Sequence, residues 1–139
     1  MKALVVYDST HGNTEKIARA IGEAIGGQVL RVGEVKPADL KGFDLVIVGS
    51  PTHGGFPTPA IDSLLKALPA LEGLNVAAFD TRTKRTIFGY AAPRIARRLE
   101  KSGGKHSTPP KGFFVLGMEG PLVEGELERA AGWAKGTVR

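Results

Sequence analysis

Cysteine is absent from the 139 residues. That excludes a disulfide framework, a thiolate metal site and a cysteine nucleophile, and it fits a reducing compartment. Aromatic residues are scarce at 6%, and Trp133 is the single tryptophan. No apolar run approaches the length needed to cross a bilayer. Met1-Lys2 leads straight into Ala3-Leu4-Val5-Val6-Tyr7, a run too short to be the core of a secretory leader. The expected location is the cytoplasm, with no membrane insertion. No His or carboxylate spacing suggests a metal site, and no Gly-x-Ser-x-Gly elbow supports hydrolysis.

What is present describes an ordinary soluble domain. The chain is 42% hydrophobic and 24% charged, within the normal globular range. One domain spanning residues 1–139 is expected, large enough to bury a core unaided. The net charge is +5 and the sequence pI near 9.7. The cations concentrate between Arg94 and Lys105, where Arg94, Arg97, Arg98, Lys101 and Lys105 lack the interleaved aromatics of a nucleic-acid surface. A solvated helix face is expected, with the charge available to steer an acidic partner; nucleic acid is not an expected partner.

Apolar runs at residues 3–7, 28–32, 44–49, 75–79 and 112–117 read as five strands, alternating with segments of helical period. That alternation is the pattern of a parallel sheet covered by helices on both faces. Ile17, Ile21 and Ile25 form one apolar stripe. Ile61, Leu64, Leu65 and Leu68 form a second, entered at Pro59, where proline suits a first helical turn. Ala92, Ile95, Ala96 and Leu99 form a third, stopped at Gly103-Gly104. Leu127, Ala130, Ala131 and Ala134 form the last, with Glu124, Glu126 and Glu128 complementing its dipole. Residues 33–42 suit only a turn or short helix around Pro37.

The first strand-to-helix turn carries the chemistry. Ser9, Thr10, His11, Gly12, Asn13 and Thr14 combine uncharged donors with one glycine, at a helix start whose unpaired amides attract anions. There is no lysine or arginine in this loop. A triphosphate loop would end in Gly-Lys-Ser/Thr, and a dinucleotide fingerprint would show three spaced glycines. What remains suits a terminal monophosphate. A receiver domain of the same strand order would need a phosphorylatable Asp after the third strand, where Gly49-Ser50-Pro51 stands instead.

The segment Ser9-Thr10-His11-Gly12-Asn13-Thr14 resembles the flavodoxin phosphate-loop signature, with His11 where that family usually has threonine. The resemblance extends over essentially the whole chain. It implies a flavodoxin-like α/β three-layer sandwich, a five-stranded parallel sheet in the order 2-1-3-4-5, and FMN bound at the carboxyl ends of the strands. Pro51, Thr52, His53, Gly54, Gly55 and Phe56 are similar to the loop that lies along the flavin edge in such proteins. Its glycine pair permits the peptide rearrangement that accompanies ring protonation there. The Trp/Tyr sandwich of many flavodoxins is missing; His53 and Phe56 are the stacking candidates, and Trp133 is expected to serve packing.

The stretch from Asp80 to Gly89 looks like the third flavin loop of a subgroup with Asp-Thr-Arg where Asp80, Thr81 and Arg82 stand, and Phe88-Gly89-Tyr90-Ala91 resembles the start of the helix that follows it. Arg82, Lys84 and Arg85 would raise the flavin's potential. A cation about 5 Å from the ring, at an effective dielectric near 20, is worth roughly 3 kcal/mol, on the order of 0.1 V for one electron.

Three functions remain open. The first is an FMN electron carrier between redox partner proteins (with acidic partners suiting the basic charge) or to a small electron acceptor. The second is an FMN-dependent NAD(P)H:quinone-type oxidoreductase. The third is a regulatory or interaction domain on the same fold with weak or no FMN binding.

Overall fold

The computed structural model describes residues 1–84 and 88–138. Arg85, expected among the cations near the flavin, lies outside them.

The first strand, β1 (Ala3–Tyr7), is buried along its whole length and leads into helix α1 (Asn13–Ile25). β2 (Gln28–Arg31) follows, then two short 3₁₀ turns, Val32–Glu34 and Pro37–Gly42. β3 (Leu45–Pro51), α2 (Pro59–Lys66), β4 (Asn75–Arg82) and α3 (Ala91–Lys101) continue the alternation. The chain ends with β5 (Lys105–His106), β6 (Lys111–Phe114) and α4 (Glu126–Thr137).

All strand pairings in the sheet are parallel, in the order β2-β1-β3-β4-β5, with β6 also paired to β4. The expected fifth strand is therefore two segments on one edge. β5 pairs with the start of β4 at Asn75 and Val76, and β6 with its end, from Phe79 to Arg82. Thr108-Pro109-Pro110 lies between the segments, and proline cannot donate to a ladder. The edge strand stops at Phe114, short of the expected residue 117.

Strand residues alternate between the two faces. Leu4, Val6, Val46, Val48, Val76 and Ala78 point toward α2 and α3, against Ile61, Leu64, Leu65, Ile95 and Leu99. Val5, Tyr7, Leu45, Ile47, Ala77 and Phe79 point the other way, against Ile17, Ile21, Ala130 and Ala134 of α1 and α4. Each fully buried large aliphatic contributes about 1.5–3 kcal/mol relative to exposure. Trp133 packs, as expected, edge-on to Phe79 and Phe113, with centroids 6.2 and 6.0 Å away.

The last helix departs from its expected stripe. Leu127 is 42% exposed, while Glu126 is buried. The Glu126 carboxylate accepts from the Phe114 amide at 2.6 Å and from Arg129 at 2.7 Å, so it fastens α4 to β6. A paired carboxylate has displaced a leucine from the inward register because the strand edge beside it supplies a donor.

Candidate functional site

The site is built where β1, β3 and β4 end. After Tyr7 the chain turns through Asp8 and Ser9 into α1, whose N-cap Gly12 has φ +90°, a left-handed value that glycine adopts without strain. The loop braces itself: the Ser9 hydroxyl oxygen accepts from the amides of Gly12 at 3.1 Å and Glu15 at 3.3 Å. Among the described residues, no acceptor is paired with the amides of Thr10, His11, Asn13 and Thr14. These are the unsatisfied donors of a helix start, gathered on one turn.

The side chains of the loop divide their work. Thr14 is buried, and its hydroxyl shares a 2.7 Å hydrogen bond with that of Thr81 on β4. Whichever oxygen accepts keeps its own proton free to donate. The Asn13 carboxamide donates to the Glu119 carbonyl at 3.2 Å, holding the 115–125 loop rather than adding to the donor ring. His11 is exposed on the rim. Arg31 reaches the loop and donates to the Ser9 carbonyl at 3.2 Å, but its charge is committed to Asp8 at 3.1 Å and Glu15 at 3.7 Å.

The second loop is a tight turn. The His53 amide donates to the Phe56 carbonyl at 2.8 Å and the Phe56 amide returns to the His53 carbonyl at 3.0 Å. Gly54 at φ +57° and Gly55 at φ +88° occupy the central positions, both in the left-handed region that such turns require. Gly55 carries a second constraint, because a Cβ there would run into the Phe88 carbonyl. Pro51 and Thr52 lead in from β3, and the Thr52 hydroxyl accepts from the Ala91 amide at 3.0 Å.

At the third loop the Asp80 carboxylate is fully buried and meets Arg82 in a two-pronged pair, both bonds 2.7 Å. It also accepts from the Ala92 amide at 2.8 Å, in the first turn of α3. Burial pushes the Asp80 carboxyl up from its ordinary pKa, and the Arg82 guanidinium and these hydrogen bonds pull it back. Arg82 lies 3.5 Å over the Tyr90 ring, in space that a Cβ on Gly112 would take. Arg82 is therefore not a free cation. With its carboxylate partner it makes a short dipole in place of the lone charge expected from the sequence.

These three loops enclose a cavity of about 380 Å³, within the range of small-molecule sites. Of the expected residues, Thr10, His11, Asn13, Thr14, Pro51, Thr52, His53, Gly54, Thr81 and Arg82 line it. Ser9, Gly12, Gly55, Phe56 and Asp80 stand behind or beside the lining. Thr83, Phe88, Val115 and Met118 also line it; Thr83 and Phe88 fall within the expected third loop without having been named as site residues, and Val115 and Met118 had no expected part in the site. Met118 and Phe88 are 78% and 63% exposed. Phe88 was legible as part of the approach to the next helix, and nothing in the sequence pointed to Met118.

Neutral donors at one end, apolar walls at the other and a strand-end location define a flavin mononucleotide-binding α/β protein. The chemistry of the donor set fits that cofactor: free amides and hydroxyls suit a monophosphate ester, and the apolar rim suits a planar ring system.

The flavodoxin family model matches residues 5–133, and the chain belongs to the flavodoxin family. A flavodoxin from Maridesulfovibrio salexigens is 34% identical over 114 residues, covering 73% of this chain and 78% of the relative. A flavodoxin structure from the domain Archaea superposes with a TM-score of 0.80 at 27% identity, covering 96% of this chain and 94% of the other. Oxidised flavodoxin 1 from Bacillus cereus superposes at 0.86 with 19% identity, covering 99% and 97%, which bears on the fold. The protein is an FMN-binding electron-transfer protein; the quinone-reductase and cofactor-free readings are not favoured.

Proposed function

We propose that FMN lies with its phosphate against the amides of Thr10, His11, Asn13 and Thr14. Its ring lies between the Pro51–Gly54 side of the second loop and Thr81 to Thr83, and the protein carries electrons between partners in the cytoplasm. The observation that supports this most is the cluster of acceptor-free amides in a loop with no cation. FMN supplies the one- and two-electron chemistry. The chain's own residues do the rest: the amides bind and orient the ester, and Phe88, Met118 and Val115 exclude water from the ring end.

The assignment to an Asp-Thr-Arg subgroup is supported by what those residues do. Asp80 and Arg82 lock together, and Thr81 between them meets Thr14 across the cavity floor. The ion pair thus stiffens the third loop, and the Thr14–Thr81 hydrogen bond joins it to the phosphate loop.

An acidic redox protein is the proposed partner. Arg97 and Lys101 are exposed on α3, the helix that begins at the site, and complementary charge speeds encounter and makes it salt-dependent. Among the described residues, no helix is long and apolar enough to cross a membrane.

Titration of the apoprotein with FMN, followed by quenching of flavin fluorescence, tests the placement. FMN is expected to bind more tightly than riboflavin, and Thr14→Ala to weaken FMN by about tenfold while touching riboflavin less. Equal affinity for the two flavins would overturn the phosphate assignment.

A further inference from the structure

Arg94 was legible in the sequence only as one of five cations on or near a helix, and a solvated role was expected for it. The structure places it otherwise. Its side chain leaves the first turn of α3 and reaches back over the site. Nε donates to the Gly55 carbonyl at 2.7 Å, and a terminal nitrogen donates to the Phe88 carbonyl at 3.3 Å. The guanidinium lies 4.0 Å over the Phe56 ring. One planar group therefore meets the second loop through a carbonyl and a ring, and the segment that enters α3 through another carbonyl.

The local geometry explains why a cation is needed there. Gly55 and Phe88 approach so closely that no side chain fits between them, which brings two carbonyl dipoles toward the same space. A guanidinium satisfies both at once through separate N–H groups held in one plane. Lysine would offer a point charge with no fixed fork. Arg97 and Lys101, farther along the same helix, are exposed, so the role belongs to position 94 rather than to the basic face in general.

We infer that Arg94 is a positioning residue for the flavin ring, clasping the Gly54–Gly55 turn to Phe88 so that the ring end of the cavity is formed before FMN arrives. The inference rests on the ring placement proposed above. A turn with two left-handed glycines has many conformations to lose, and a clasp that removes them in advance lowers the ordering cost of binding. The clasp acts at the ring, not at the phosphate, so its loss falls equally on FMN and riboflavin.

The test compares Arg94→Met, Arg94→Lys and the unchanged protein by fluorescence titration with FMN and with riboflavin, and by redox titration of the FMN-loaded forms. Thermal unfolding of each apoprotein checks that the variants fold. Arg94→Met is expected to weaken both flavins by the same factor, about tenfold, and to lower the midpoint potentials by removing a positive charge. Arg94→Lys is expected to keep the potentials near those of the unchanged protein but to recover only part of the affinity, since it cannot hold both carbonyls in one plane.

Unchanged affinity for both flavins in Arg94→Met would overturn the clasp, as would full recovery of affinity in Arg94→Lys. A loss confined to FMN would overturn it too, by moving Arg94 to the phosphate. An Arg94→Met effect shared by both flavins, together with a Thr14→Ala effect that is also shared, would leave the clasp standing and sink only the phosphate assignment.

Discussion

The two ends of the cavity are held by opposite means. The backbone of the phosphate loop is braced by the chain's nearest neighbours, with Ser9 accepting from Gly12 and Glu15 within six residues of itself, while its Asn13 and Thr14 side chains reach across to Glu119 and Thr81. The ring end is braced from a distance. Arg94 reaches 39 residues back in sequence to Gly55, while Arg82, turned onto Tyr90, pairs with Asp80 two residues away and lies against Gly112 of β6. The Ser9 brace is local and forms with its helix. A distant brace exists only once the sheet and α3 are assembled, so it reports on the tertiary structure and is sensitive to single changes.

The contrast can be broken most forcefully at Asp80. Asp80→Ala leaves the Arg82 guanidinium, whose side chain is only 14% exposed, without its partner. Removing one member of a buried pair costs about 3–5 kcal/mol, and urea unfolding of the apoprotein should show a loss of that order. Ser9→Ala, at the locally braced end, should lose only about 1 kcal/mol in the same measurement.

The next effect lies inside the turn. Gly54 and Gly55 share positive φ, but only Gly55 faces an obstacle. Gly54→Ala should cost about 1 kcal/mol from backbone strain alone. Gly55→Ala should cost about 2–3 kcal/mol and weaken flavin binding as well, because the turn must move off Phe88. Equal melting temperatures for the two variants would show that the contact with Phe88 is compliant.

The smallest effect concerns pH and lies away from the cavity. Arg129, by direct hydrogen bonding, holds the Glu126 carboxyl below its ordinary pKa, with help from the Phe114 amide. A depressed carboxyl contributes stability that is present above the unfolded-state value and is lost as pH falls through the folded one. The Tm of the unchanged protein should therefore decline below about pH 4.5 more steeply than that of Glu126→Gln, by an amount equivalent to about 1 kcal/mol. Burial raises Asp80, which works in the other direction: its ionisation disfavours the fold as pH climbs above the usual aspartate range.

The same division decides what the sequence made legible. β1, β3 and β4 announce themselves as apolar runs because both of their faces are covered, and the phosphate loop is readable because its donors are consecutive. β5 is Lys105–His106, two polar residues that form a strand only because Asn75 and Val76 are already extended beside them. Glu126 turned inward for a comparable reason, the amide of Phe114 waiting across the gap. Arg94 read as surface charge because pairing with Gly55 is a property of the assembled sheet. Residues that act through sequence neighbours are visible in a string of letters; residues that act across the fold are not.

The cradle of uncharged amides has a consequence for how its ligand is caught. Dipoles lose strength with distance faster than full charges do, so the loop exerts almost no pull on an anion still in solution. Discrimination begins only at contact, where the spacing of the N–H groups can be matched or missed. Ionic strength, which weakens charged sites by screening, should hardly alter the grip itself, so occupancy would follow how much cofactor is available rather than the salt around it.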